Sequence, residues 1–245
     1  MSKQVKTKKR VADHGEVFTA EREVNAMLDL VKNESERIES RFLEPACGDG
    51  NFLAKIIERK LQTAKSMYKK YLSDYERNSI LALTSIYGID LLSDNAQTCR
   101  DRLFNIWEKE YTSIAKKNVN NNLKDVAKYI LSLNIVTGNA LSMKCVDSNQ
   151  QDLDQPIIFP EWSFINDYLI KRRDFRFDVL LKEHEDEYSY DTQLSIFSDD
   201  ANYNDYWMID PVTNETIPKP VKEYQPIDYR RLYENEWKKF IWNST

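Results

Sequence analysis

An open α/β fold with a mostly parallel sheet is what this sequence predicts, and three observations predict it. Short β-like runs alternate with longer amphipathic stretches, the pattern of strands joined by helical crossovers. The segment Phe42 to Leu53, FLEPACGDGNFL, reads as a strand that ends in a glycine-bearing turn and runs into a helix N-terminus. All five glycines, Gly15, Gly48, Gly50, Gly88 and Gly138, fall in the first 138 residues, where such turns are expected.

The elements follow in order. Thr19 is placed to cap a helix on which Val24, Met27, Leu28 and Val31 share one face. Phe42 to Glu44 reads as the first strand. Phe52, Leu53, Ile56 and Ile57 then mark a helix, and Tyr75 to Leu83 another. Ser85 to Asp90 reads as the second strand. Asp94 to Tyr111 is helical, with Ala96, Cys99, Leu103 and Trp107 on one face. A helix over Val126 to Leu133 leads into a third strand, Asn134 to Thr137. Phe177 to Leu181, FDVLL, is a candidate for a fourth strand. Further on, Trp207-Met208-Ile209 and Thr216-Ile217 suit a small hairpin, and Tyr224 to Trp242 a terminal helix.

Ligands of open α/β folds bind beyond the carboxyl ends of the strands, where these glycine turns fall. The first turn carries Glu44 and Asp49. Carboxylates at that mouth argue against a phosphate ligand and favour a cationic group or ribose hydroxyls, which they accept as a pair. Asp90 closes the second strand in the same manner.

Glu44-Pro45-Ala46-Cys47-Gly48-Asp49-Gly50 resembles motif I of the S-adenosylmethionine-dependent DNA amino-methyltransferases of restriction–modification systems. The resemblance runs over residues 11 to 181 and implies a Rossmann-like class I methyltransferase fold with S-adenosylmethionine as cofactor. His14 to Thr19 is similar to motif X, which implies that Phe18 packs near the cofactor and Thr19 offers its hydroxyl to the cofactor carboxylate. Glu44 maps to the acid near the cofactor's amino group, in the turn formed by Pro45, Ala46 and Gly48. Tyr87-Gly88-Ile89-Asp90 is similar to motif II, which gives Asp90 the ribose hydroxyls and lays Leu91 against the adenine. Gly138-Asn139-Ala140-Leu141 is similar to motif III, usually Gly-Asp-Ala. Asn139 keeps an acceptor oxygen for the adenine amino group but lacks the charge.

The acceptor motif is missing. Transfer to an exocyclic amine uses (N/D)PP(Y/F) after the fourth strand, whose side-chain and carbonyl oxygens localise the nitrogen lone pair while the aromatic stacks on the flipped base. Here Lys182-Glu183-His184-Glu185 follows Leu181, and no such string occurs elsewhere. Asp210-Pro211-Val212 lacks the second proline and the aromatic, and reads as a turn. No catalytic residue is assigned. Three functional expectations result: a relative of DNA adenine-N6 methyltransferases whose acceptor site comes from a partner subunit or an unrecognised segment, a catalytically inactive module with a regulatory or assembly role, or a chain whose acidic 183–218 stretch offers a DNA-like surface to a basic partner. The partners implied are other restriction–modification subunits, and DNA through them.

Residues 1–13 are expected to form a basic arm, 14–182 the cofactor-binding domain and 183–245 an acidic, Tyr-rich extension. Between Glu183 and Pro218 there are ten acidic residues and no Lys or Arg, so this stretch cannot favour phosphates. The net charge of −5 likewise differs from the positive face usual in DNA binders. No apolar run nears the roughly 18 residues of a membrane span, so no membrane association is expected. The basic N-terminus lacks the apolar core of a secretory signal, and a cytoplasmic location is expected. Cys47, Cys99 and Cys145 lack ligand spacing and only two histidines occur, so no metal site is expected.

Overall fold

The structure, a computed structural model, describes residues 19–186, 206–211 and 213–234. Its centre is a three-stranded parallel sheet in the order β1-β2-β3: β1 Phe42–Glu44, β2 Ile86–Asp90 and β3 Ile135–Thr137. Phe42 pairs with Ile86, Glu44 with Gly88, and Asp90 with Thr137. The helices preceding or joining these strands are α1 (Glu21–Leu30), α2 (Lys32–Glu36), α3 (Asn51–Tyr68), α4 (Leu72–Thr84), α5 (Ser93–Ala115) and α6 (Asn121–Asn134). The alternation read from the sequence therefore gives a mixed α/β structure with parallel strands and helical crossovers.

Every residue of β2 is buried, as expected of the middle strand of a covered parallel sheet. The helices bury Tyr75, Trp107 and Tyr111 completely. Trp107 stacks on Tyr111 with ring centroids 5.0 Å apart and donates to Ser79 Oγ at 3.1 Å. The Tyr111 hydroxyl donates to Glu76 Oε1 at 2.8 Å and accepts from the Asn120 N–H. Trp107 and Tyr111 thus keep their polar atoms satisfied while removing large apolar areas from water, whereas the Tyr75 hydroxyl is buried without a partner among the described residues. At the start of β1, buried Lys60 donates to the carbonyls of Ile38 and Ser40 and to Ser85 Oγ, three acceptors for its three protons.

From β3 to Asp186 the chain departs from the expected pattern. After β3 come the antiparallel pair β4 (Lys144–Val146) and β5 (Asp152–Pro156), then the long hairpin β6 (Ile158–Phe164) and β7 (Leu169–Arg176). Asn166 closes this hairpin by accepting from the N–H groups of Tyr168 and Leu169. Phe177 to Leu181, expected as a fourth strand, opens helix α7 (Phe177–Asp186) instead. Phe177, Leu180 and Leu181 stand at i, i+3 and i+4, which serves a helix as well as a strand. Asp178 lies in the first turn, where the helix dipole favours an acid.

Beyond the undescribed stretch, β8 (Trp207–Ile209) and β9 (Thr216–Pro218) form the expected hairpin, pairing Trp207 with Pro218 and Ile209 with Thr216. The terminal helix expected from Tyr224 is not formed over the described residues. Instead β10 (Lys222–Glu223) and β11 (Ile227–Asp228) pair with β7, and a 3₁₀ turn follows at Tyr229–Arg231, capped by Asp228. Residues 235–242 of that expectation lie outside the described residues. The cross-strand pairing is reinforced by a buried cluster: Arg172 forks onto Asp174 at 2.6 and 2.8 Å and donates to the Tyr129 hydroxyl. The Tyr224 hydroxyl donates to Asp174 at 3.1 Å.

The antiparallel sheet covers the Leu43–Tyr87 face of the parallel one. Tyr87 donates to the Pro160 carbonyl at 2.9 Å and meets Phe159 edge-on. Among the described residues no helix is long and apolar enough to cross a membrane.

Candidate functional site at the carboxyl edge of the parallel sheet

Three turns leave the carboxyl ends of β1, β2 and β3 side by side and are stitched together by backbone bonds. The Cys47 N–H donates to the Ile89 carbonyl and the Gly138 N–H to the Asp90 carbonyl, both at 2.9 Å. Strand alternation and register put Glu44, Gly88 and Asp90 on one face of the sheet.

Asp90 is the centre of this arrangement. It is buried, and its Oδ2 accepts from the Gly48 N–H at 2.9 Å. Its Oδ1 accepts from the Leu92 N–H at 2.8 Å and from Asn95 Nδ2 at 3.2 Å. One carboxylate thus ties the first turn to the second and fixes the start of α5. A ribose brought to Asp90 would share oxygens that already hold the loops in place.

The first turn is shaped by local sterics. Gly48 and Gly50 adopt φ of +53° and +85°, the left-handed region that suits glycine. A Cβ at Gly50 would lie 2.7 Å from Cys99 Sγ, and one at Gly88 would lie 3.1 Å from Cys47 Sγ. The turn therefore sits on β2 and α5 with no room for a side chain at either point. Arg102 clasps it from α5, donating to Asn51 Oδ1 at 2.7 Å and contacting Asp49 Oδ1 at 3.4 Å. Pro45 and Ala46 are exposed.

Glu44 is half-buried, and no hydrogen bond or ion pair reaches its carboxylate from the described residues. Burial raises its pKa above the ordinary glutamate value. An acid left dehydrated without a counter-charge is the chemical profile of a site for a positively charged group.

The third turn is more self-contained. Asn139 Oδ1 accepts from the Leu141 N–H at 3.0 Å and the Ser142 N–H at 3.4 Å, while its Nδ2 donates to Asp152. An adenine amino group offered to Asn139 would compete with this turn. Leu91 and Ala140 are both partly exposed beside it.

Thr19 does not cap α1; that position is Ala20, without a side-chain bond. The Thr19 carbonyl instead accepts from Asn51 Nδ2 at 3.4 Å, which brings the residue to the start of α3. Phe18, the rest of the motif X-like string and the basic arm lie outside the described residues, as does most of the acidic stretch. Asp210 starts the β8–β9 turn, its oxygens accepting from the N–H groups of Thr213 and Asn214. Sequence reasoning missed Asn95 and Arg102. Asn95 had a faint signal, an amide one turn into the helix after Asp90, whereas nothing in the local sequence marks Arg102. Among the described residues no cluster of His, Cys, Asp and Glu is suited to a metal ion. Comparison of the chain with protein-family models, curated proteins and solved structures gives no match.

Proposed function

We propose that this chain binds S-adenosylmethionine at the carboxyl edge of its parallel sheet. We read it as a Rossmann-like class I methyltransferase fold related to the DNA adenine-N6 methyltransferases of restriction–modification systems. The observation that carries the reading is Glu44, a half-buried carboxylate with no partner among the described residues, at the mouth of the glycine turn held by Asp90. A sulfonium nucleoside bearing an amino acid offers that carboxylate the positive charge it lacks. When bound, this cofactor supplies an electrophilic methyl group. In this reading Glu44 holds the amino group, Asp90 orients the ribose, and Leu91 and Ala140 flank the adenine. Phe18 and Thr19 serve the methionine end.

Methyl transfer to DNA needs an acceptor site that this chain's sequence lacks. α7 occupies the stretch where the strand leading to (N/D)PP(Y/F) was expected. That observation favours a second reading, in which the chain keeps the cofactor pocket but serves as a catalytically inactive regulatory or assembly subunit. Incubation of the purified chain with DNA and tritiated-methyl cofactor separates the two. Cofactor binding without label on DNA selects the second reading, and label on DNA selects a transferase whose acceptor site was not recognised. Absence of cofactor binding removes both.

A further inference from the structure

We propose that the edge of β1 left unpaired among the described residues receives a β-strand from a second polypeptide. The inference goes beyond the cofactor reading, since it concerns the opposite face of the sheet and a macromolecular partner.

β1 has one ladder partner among the described residues, β2. The Phe42 N–H donates to the Ser85 carbonyl on that side, so the alternation of a strand turns the N–H and C=O of Leu43 the other way. Parallel strands are normally flanked and covered, and natural edges are blunted by charge, proline or a covering element. β1 is short, with Arg41, Glu44 and Pro45 at its ends, which limits it to a brief ladder, but between them Leu43 keeps an apolar side chain that is 41% exposed. Beside it runs a cleft of about 500 Å³, walled by Tyr87, Phe159 and Phe175, by Leu180 of α7 and by Ile217 of β9.

An extended peptide answers both features at once. Its backbone completes the ladder on Leu43, and alternate apolar side chains fill the cleft, the usual chemistry of strand addition. A small apolar molecule would fill the space but leave the edge unpaired. Charge adds one further requirement. Arg41 and Arg173 both converge on a single carboxylate, Glu161, which leaves an excess positive charge at the cleft wall. The partner strand therefore carries an acidic residue beside its apolar ones.

The test uses the blocked peptide acetyl-Val-Asp-Val-Ile-Val-Thr-amide and the full chain. Without peptide, the Leu43 amide should exchange with deuterium freely; with peptide, exchange should slow at least tenfold. Leu43→Pro removes the outward donor and the leucine side chain beside the cleft but no donor of the β2 ladder, so it should abolish binding with little change in melting temperature. Leu180→Glu should weaken binding at least fivefold. Should Leu43→Pro fail to fold, the peptide N-methylated on its backbone decides: it must not bind the unaltered chain. The proposal is overturned by a Leu43 amide already protected in the free chain, which means the chain covers its own edge. It is also overturned by no binding at millimolar peptide, or by binding indifferent to Leu43→Pro or to N-methylation.

Discussion

The side chains that matter most are two carboxylates with opposite circumstances. Asp90 has three donors and ties the turns together; Glu44 has none among the described residues. Asp90→Asn keeps the size but exchanges an acceptor for a donor facing backbone N–H groups. It should weaken S-adenosylmethionine at least tenfold, about 1.4 kcal/mol, and Asp90→Ala should do so at least as strongly. An unchanged dissociation constant in either variant removes Asp90 from the site. Glu44 predicts a pH dependence whose sign is fixed by its raised pKa. The carboxylate must be ionised to hold a cation, so affinity should be full above that pKa. It should fall as acid protonates the group, beginning at higher pH than for an ordinary glutamate. Calorimetric titrations across pH 4 to 8 read this directly (roughly the span between ordinary and strongly raised carboxyl values). In Glu44→Gln this component of the pH dependence should vanish. Both acids were legible in the sequence because each ends a strand at a glycine turn. Asn95 and Arg102 were not, since their roles depend on where α5 lies against a loop distant in sequence.

At the level of elements, the turn between β1 and α3 is the tightest constraint. Gly50→Ala forces a left-handed backbone on a residue with a Cβ and drives that atom into Cys99. It should destabilise the protein by about 2–4 kcal/mol, measured by urea unfolding. A variant as stable as the parent would mean that the turn is not packed on α5 as described. The first three strands and their helices were readable because period and punctuation agreed over each segment. The FDVLL run was misread because five residues fit both periods, and burial against β7 and β9 rather than local pattern decides between them. The β6–β7 hairpin escaped notice because its strand Leu169–Arg176 is rich in Arg and Lys, and pairs with neighbours no local window contains.

For the molecule as a whole, the sequence disclosed a parallel α/β centre but not what surrounds it. The C-terminal strands β10 and β11 pair back onto β7, and the Arg172–Asp174–Tyr224 cluster fastens them. Asp174→Ala would leave a buried guanidinium without its carboxylate. It should cost about 3–5 kcal/mol and speed amide exchange through residues 222–228. Exchange that stays slow there would show that the strands hold without the ion pair. Among the described residues the parallel sheet ends at β1, and Phe177 to Leu181, expected as a fourth strand, belong to helix α7.

Calorimetric titration of the intact chain with S-adenosylmethionine is the most direct test of the central claim. Saturable binding at one site per chain is expected, weakened at least tenfold by Asp90→Asn and made less pH-sensitive by Glu44→Gln. A folded chain that gives no heat of binding at millimolar cofactor would contradict it.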